Sequence, residues 1–153
     1  LSWLWEFHKI HHSPEWISVL TGKRRHFVED LIFPISNALT FILLGPRIEL
    51  FVACGIIGLF YSDFIHTNTK LDLKVLEFVF VTPKIHSWHH AEELKCQYGQ
   101  NFGGIFVFWD KLFSTFYQED DMPSRIGLSL KQKIGTGFLD QLLSPFRSIL
   151  GIK

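Results

Sequence analysis

The stretch Thr82-Pro83-Lys84-Ile85-His86-Ser87-Trp88-His89-His90 decides how the chain is read. It places three histidines at i, i+3 and i+4. Residues three and four apart stand on one face of an α-helix. Thr82 followed by Pro83 is a helix-start signal: a hydroxyl at the cap, then a residue whose φ is preset and which has no amide to leave unpaired. The spacing therefore predicts that His86, His89 and His90 project together from the first two turns of a short helix. Neutral imidazoles converging in this way are ligands suited to a transition metal.

The same grouping recurs in Phe7-His8-Lys9-Ile10-His11-His12-Ser13-Pro14, and a further histidine lies in Asp63-Phe64-Ile65-His66-Thr67-Asn68. Seven of the eight histidines fall in these three places, and the eighth is His26. A single histidine is more often a surface residue or a hydrogen-bonded core residue than a ligand, but two HxxHH boxes in 153 residues are not explained that way. His66 joins the candidate set because it ends an apolar segment lying between the boxes. Asp63 stays open between a ligand, a partner that holds a histidine ring, and an ordinary helix-end charge. His26 follows Lys23-Arg24-Arg25 and reads as a surface residue. Six or seven imidazoles exceed the four ligands of one tetrahedral zinc, so two metal ions are expected. Histidine-rich ligation without cysteine suits iron, zinc or copper.

With 15 basic and 15 acidic residues and no basic stripe, the chain offers no nucleic-acid surface. Its length allows one domain with a real core. Cys54 and Cys96 lack metal spacing; Cys54 sits in an apolar run and is expected as a small core residue, and a disulfide is not expected. The 16 Phe, 5 Trp and 3 Tyr fit a protein that lives in or on a bilayer, although Phe also fills ordinary cores. The chain begins at Leu1, and Met122 is its single methionine, so a fragment of a longer protein is expected.

Apolar periodicity predicts a helix over 2–12 and a short helix from Pro14 to Leu20, closed by Thr21-Gly22. Leu31–Gly45 and Leu50–Ser62 carry no charge, and Gly45-Pro46-Arg47 breaks the run between them. Neither run reaches the roughly 18–20 residues that span a bilayer. Two arrangements fit: a membrane hairpin over 31–65, or a pair of buried helices in a soluble all-α protein. The flanking basic cluster and the aromatic load favour the hairpin. Further on, the pattern predicts a short helix within 71–81 and continuation of the histidine helix through Ala91–Lys95. A turn follows at Asn101-Phe102-Gly103-Gly104, then a helix over 105–117 with Asp110 and Lys111 at a boundary. A polar exposed stretch covers 118–133, and a last helix over 137–150 is interrupted at Ser144-Pro145.

These stretches together resemble the fatty acid hydroxylase/sterol desaturase superfamily of integral-membrane histidine-box oxygenases. The matching segments are the two HxxHH boxes with their flanks, His66-Thr67-Asn68, and Asn101-Phe102-Gly103-Gly104 through Trp109-Asp110-Lys111-Leu112-Phe113. The likeness runs from Phe7 to about Tyr117, and Phe138-Leu139 to Pro145-Phe146 resembles the superfamily's C-terminal helix. It implies an all-α integral-membrane domain with a membrane hairpin and a histidine-box cap on the cytosolic side, in a bacterial inner membrane or endoplasmic reticulum. It also implies two metal ions, taken as iron, with His8, His11, His12, His66, His86, His89 and His90 as ligands. O2 and electrons from an external donor of cytochrome b5, ferredoxin or reductase type would serve to hydroxylate or desaturate a sterol, fatty acyl or related lipid. No side chain is expected as general base or nucleophile. The superfamily carries an HxxxH box shortly before the first HxxHH box. The chain starts seven residues before His8 and lacks it. The 153 residues are therefore expected to be the C-terminal portion of one hydroxylase-like domain, inactive alone, with an active parent. Two other classes compete. A metal-dependent hydrolase would need an acid near the metal as general base, and Glu92 and Glu93 lie only after the second box. A non-catalytic membrane metal-binding protein would place its ligands on broken helices within the apolar runs.

Overall fold

The computed structural model describes residues 2–71, 73–92, 99–132 and 134–152. Among them the chain forms α1 (Ser2–His8), α2 (Val19–Lys23), α3 (Phe27–Leu44), α4 (Ile48–Ile65), a 3₁₀ turn (Leu76–Phe78), α5 (Pro83–His89), α6 (Phe108–Leu112) and α7 (Phe138–Leu150). The described residues contain no strand, only isolated antiparallel bridges at Phe80–Phe106 and Ala91–Ile126.

α3 and α4 form the hairpin. Each has 18 residues, which is about 27 Å of helix and close to the ~30 Å of a bilayer's hydrocarbon core. They are longer than the charge-free runs because they take in charged ends: the first turn of α3 with Glu29 and Asp30, and in α4 both the first turn with Glu49 and the last with Asp63. Acids in a first turn face the positive end of the helix dipole. Gly45 ends α3 with φ +58, a left-handed cap that glycine adopts without strain, and its amide returns to Phe41 O. Ser36 and Thr40 return their hydroxyls to Phe33 O (2.8 Å) and Ser36 O (2.9 Å), so they carry no unpaired donor into an apolar surrounding. Only Glu29 in α3 and Ile65 in α4 are buried. An apolar helix pair left uncovered by the rest of the described chain is a candidate membrane hairpin and not a pair of core helices. Cys54 is accordingly exposed on α4, not the core residue that its apolar context predicts.

The cap departs from the periodicity in several places. α1 stops at His8, and residues 9–12 close in tighter turns, with His11 N on His8 O at 2.9 Å. The second helix starts at Val19 and not at Pro14; Ser18 N donates to Thr21 Oγ1 (3.1 Å), and Thr21 and Gly22 lie inside the helix. α5 begins as its sequence dictates, with Pro83 in the first turn and Thr82 Oγ1 accepting from Ile85 N, but it ends at His89. Ala91 and Glu92 leave it to pair with the segment 125–126, and residues 93–98, with Cys96, lie outside the described residues. Within 71–81 the described residues form only the 3₁₀ turn. Within 105–117 only five residues are helical, because the flanking segment pairs with 79–81 through Val81 N on Ile105 O (2.8 Å) and Val107 N on Val79 O (3.0 Å). In the stretch 118–133, Gly127 and Leu128 are buried. α7 runs on through Pro145, whose ring is on its buried side.

Asp110 is not a boundary charge. It is buried, and its carboxylate accepts from Phe102 N (2.7 Å), Gly103 N (2.8 Å) and Thr115 Oγ1 (2.7 Å). Beside it, Asn101 donates to Ile85 O (3.1 Å) and Tyr117 O (2.7 Å), tying this turn to the histidine helix. Ile65, Val81, Ile85 and Val107 form the core that joins α4 to α5. α1 packs on α7 through Phe7 and Phe146. A Cβ at Gly103 would lie 2.6 Å from Phe106 O and 2.7 Å from Asp110 Oδ2. Gly103→Ala must therefore open the turn. It is expected to cost about 1–3 kcal/mol, read as a lower unfolding midpoint in detergent.

Candidate metal centre

All seven predicted histidines come together. His8, His11 and His12 arrive from α1 and the turns after it, His66 from the end of α4, and His86, His89 and His90 from α5. They sort into two groups: His11, His66, His86 and His90, and His8, His12 and His89. Within each group the ligand atoms lie within 4.8 Å of one another. Neither HxxHH box makes a group by itself. Each group draws on both boxes, so each ties α5 to the N-terminal segment.

The Nε2 atoms face inward. In the larger group, His66 Nε2 is 3.2 Å from His11 Nε2 and 2.9 Å from His86 Nε2, and His90 Nε2 is 3.2 Å from His86 Nε2. In the smaller group, His89 Nε2 is 3.1 Å from His12 Nε2 and 3.4 Å from His8 Nε2. Ligands about 2.0–2.1 Å from one ion stand roughly 2.9–3.4 Å apart, for octahedral to tetrahedral angles.

Proton accounting shows why these contacts need a cation. Nδ1 of His11 donates to Thr21 O (3.0 Å), Nδ1 of His66 to Ser62 O (2.6 Å) and Nδ1 of His89 to Gln100 O (2.8 Å). A carbonyl can only accept, so each of these rings carries its proton on Nδ1 and presents a bare lone pair at Nε2. A second proton is disfavoured. Burial, and then the other histidines, push His11, His12, His86 and His90 well below 6.5. Burial lowers His66 in the same direction, and burial and His8 take His89 down to about 4. His11 and His66 thus oppose two acceptors at 3.2 Å with no proton between them. A positive ion removes that conflict, so the residues present fit a metal. Nδ1 of His86 and Nδ1 of His90 are buried with no hydrogen-bond partner among the described residues, so those two rings depend most on what their Nε2 atoms bind.

Two residues that the spacing did not point to complete the site. Glu29, buried in the first turn of α3, accepts from His8 Nδ1 at 2.7 Å through Oε1, and through Oε2 from His26 N at 3.3 Å. The carboxylate–histidine pair fixes His8 as the carbonyls fix His11, His66 and His89. The signal was present in His26-Phe27-Val28-Glu29, a capping-box spacing ahead of an apolar run. Gly22 is the other: a Cβ there would lie 3.0 Å from His66 Nδ1. No spacing rule reveals such a close approach. His26 is not on the surface. It is buried, accepts at Nδ1 from Val28 N (3.1 Å) to cap α3, and donates from Nε2 to Leu142 O of α7 (3.1 Å). Asp63 pairs with Lys23 at 2.5 Å and belongs to neither histidine group.

A cavity of about 590 Å³ opens beside both groups, with His8 and His89 of the smaller and His11 and His86 of the larger in its wall, next to Trp5, Glu29, Phe33 and Phe102. Phe33 also shows on the outer surface of α3, so the cavity borders the membrane helix.

Gly22→Ala pushes a methyl against a ring already held by Ser62 O. The expected result is a loss of metal affinity of about 10–100-fold at the four-histidine group, measured by metal content after dialysis. For the metal-free protein, the lowered histidines make the unfolded chain bind more protons than the folded one below pH 6.5. Stability is therefore full above 6.5 and falls as the pH drops towards 4. His89 alone accounts for about 3 kcal/mol once the pH is below 4. Unfolding midpoints from pH 8 to 5 after chelation check this.

Comparison with known proteins agrees with the geometry. The model of the fatty acid hydroxylase family matches residues 1–115. An ornithine lipid hydroxylase, OlsE, from Rhizobium tropici is 33% identical over 143 residues, covering 94% of this chain and 43% of the relative. An alkylglycerol monooxygenase from Danio rerio is 32% identical over 136 residues (89% and 29%), and one from Homo sapiens 28% over 118 residues (77% and 26%). The chain spans less than half the length of these relatives. No solved structure shows a significant match. With its histidines gathered into two ligand groups and three quarters of its length matched, the chain belongs to the fatty acid hydroxylase family.

Proposed function

We propose that the protein is an O2-dependent di-iron oxidoreductase that hydroxylates, or desaturates, a lipid C–H bond, with the seven histidines as ligands. The observation that carries this reading is the opposition of bare Nε2 atoms in two adjacent groups. A bound pair of iron ions would supply O2 activation and removal of a hydrogen from an unactivated carbon.

The chain's own residues have defined parts in this reading. His11, His66, His86 and His90 hold one ion, and His8, His12 and His89 the other. Thr21, Ser62 and Gln100 carbonyls and the Glu29 carboxylate keep the rings aimed. Trp5 and Phe102 exclude water from the cavity, and the side next to Phe33 admits a lipid chain from the bilayer. The relatives are named for a lipid hydroxylase and a monooxygenase, which favours hydroxylation over desaturation. Reducing equivalents come from an external donor, and the histidine cap faces the cytosol. The hydrolase reading gains nothing from the geometry: Glu29 is the one carboxylate lining the cavity among the described residues, and it is committed to His8 and His26 N.

The test uses the full-length protein in nanodiscs with iron, an electron donor, isotopically labelled O2, and acyl, aminoacyl and ether lipids. One labelled oxygen in a lipid product is the expected result; a product lacking two hydrogens without label identifies a desaturase. A protein that binds iron fully yet turns over none of these lipids and consumes no O2 contradicts the proposal.

A further inference from the structure

The cap carries an apolar shelf that neither the histidine groups nor the cavity uses. It is built from two short segments. Val75, Phe78 and Val79 come from the 3₁₀ turn and its flanks, and Phe108, Trp109 and Phe113 from α6 and its end. Phe78 is 78% exposed, Phe113 69% and Trp109 53%. Folding does not leave these side chains out by default; it holds them out. The bonds between 79–81 and 105–107 join the segments edge to edge, and buried Asp110 fastens the inner side of α6. Lys111 donates from Nζ to Phe78 O at 3.0 Å and lies 4.5 Å from the centre of the Phe78 ring. Aromatic rings bordered by a lysine that stretches along them are the chemistry of a lipid headgroup boundary. An apolar surface this broad marks a contact with a membrane or a partner.

The position of the shelf decides for the membrane. Tyr61, in the last turn of α4, donates its hydroxyl to Val81 O at 2.8 Å, and Val81 and Val107 pack against Ile65, Tyr61 and Phe64. The shelf is therefore bolted to the foot of α4, where the exposed apolar surface of that helix ends. α7 stands in the matching place at the foot of α3, held by the bond from His26 Nε2 to Leu142 O, and it too leaves Phe138, Leu139 and Leu150 exposed. The two feet adjoin, since Gly22 of α2 touches His66 at the end of α4 and α2 leads into α3. Apolar surface thus continues from the hairpin onto the cap at the foot of each helix.

We propose that the shelf and the outer face of α7 lie in the headgroup–acyl boundary, so that the cap sits half-sunk beside its own hairpin. This rests on reading α3 and α4 as membrane-spanning. The consequence for the site is that the mouth beside Phe33 opens below the headgroups. A lipid's chain then reaches the histidines without leaving the bilayer.

The test is spin-label depth in the full-length protein, reconstituted in liposomes of mixed zwitterionic and anionic lipid. Collision with O2, which concentrates in lipid, is compared with collision with a water-soluble nickel chelate. Labels go singly on native Cys54, on Phe113→Cys, on Phe138→Cys and on Lys131→Cys, the other cysteines being serine. Cys54 is the depth standard on α4 and exposed Lys131 the aqueous one. The expected result is an O2-to-nickel ratio several-fold higher at Phe113→Cys and Phe138→Cys than at Lys131→Cys, and lower than at Cys54. Two independent shelf positions guard against one variant misfolding. If both behave like Lys131→Cys while Cys54 stays deep, the shelf proposal fails and the hairpin stands. If both are shielded from O2 and nickel alike, protein covers the shelf and the proposal again fails. If Cys54 is itself aqueous, the hairpin reading fails with it.

Discussion

His11 and His66 each give their only proton to a backbone carbonyl and turn bare Nε2 atoms towards one another at 3.2 Å. Two acceptors so close, in rings that burial keeps neutral, repel unless a cation lies between them. His89 is held in the same way by Gln100 O, and with it the centre of the cap is a site where the protein alone is frustrated and the protein with metal is not. The apolar cores around it are small, with Ile65, Val81, Ile85 and Val107 in one cluster and Trp88 with Ala91 in another. Burying four such side chains contributes roughly 6–12 kcal/mol. Structural metal sites contribute about 10–16 kcal/mol in small domains. In the proposed reading, metal is as much the core of the cap as its hydrocarbon is.

That constraint explains the rest of the architecture. Each histidine group takes rings from two or three separate elements, so α1, the foot of α4 and α5 must all be placed to within a few tenths of an ångström. The structure does this with backbone and buried polar groups. Thr82 and Pro83 fix the start of α5, and Asn101 and Asp110 brace the turn against it. Gly22 clears room for His66, and Glu29 ties His8 to the first turn of the membrane helix. Rigidity at the foot of the hairpin thereby becomes rigidity of the site. In the proposed reading, the cavity lined by Ile32 and Phe33 of α3 gives a lipid chain its way to the histidines.

Much of this was legible in the sequence, because helical periodicity and helix-start chemistry are local. His86, His89 and His90 share a face as their spacing requires, and all seven box histidines fall in the two groups. The hairpin was legible from uncharged runs broken at Gly45-Pro46, although its helices gained length from acids at their own ends. The losses were tertiary. Ile105–Tyr117 looks helical in isolation, but its first residues are captured by 79–81, which no local pattern encodes. Pro145 looked like a break, yet packing carries α7 through it. His26 looked like a surface residue and Asp110 like a boundary charge because their partners, Leu142 O and the amides of Phe102 and Gly103, lie far away in sequence or are backbone groups with no signature. Glu29 was missed for a related reason: its helix-capping position was readable, but its bond to His8 crosses 21 residues.

The measurement that tests the central claim most directly is the metal content and oxidation state of the full-length protein, purified in detergent under reducing, zinc-free conditions. The account predicts two irons per chain, lost together when His89 or His90 is changed to alanine, since α5 and its C-cap residue supply ligands to both groups and a ligand lost from one group frees the helix that positions the other. One tightly bound zinc that survives both changes would contradict it.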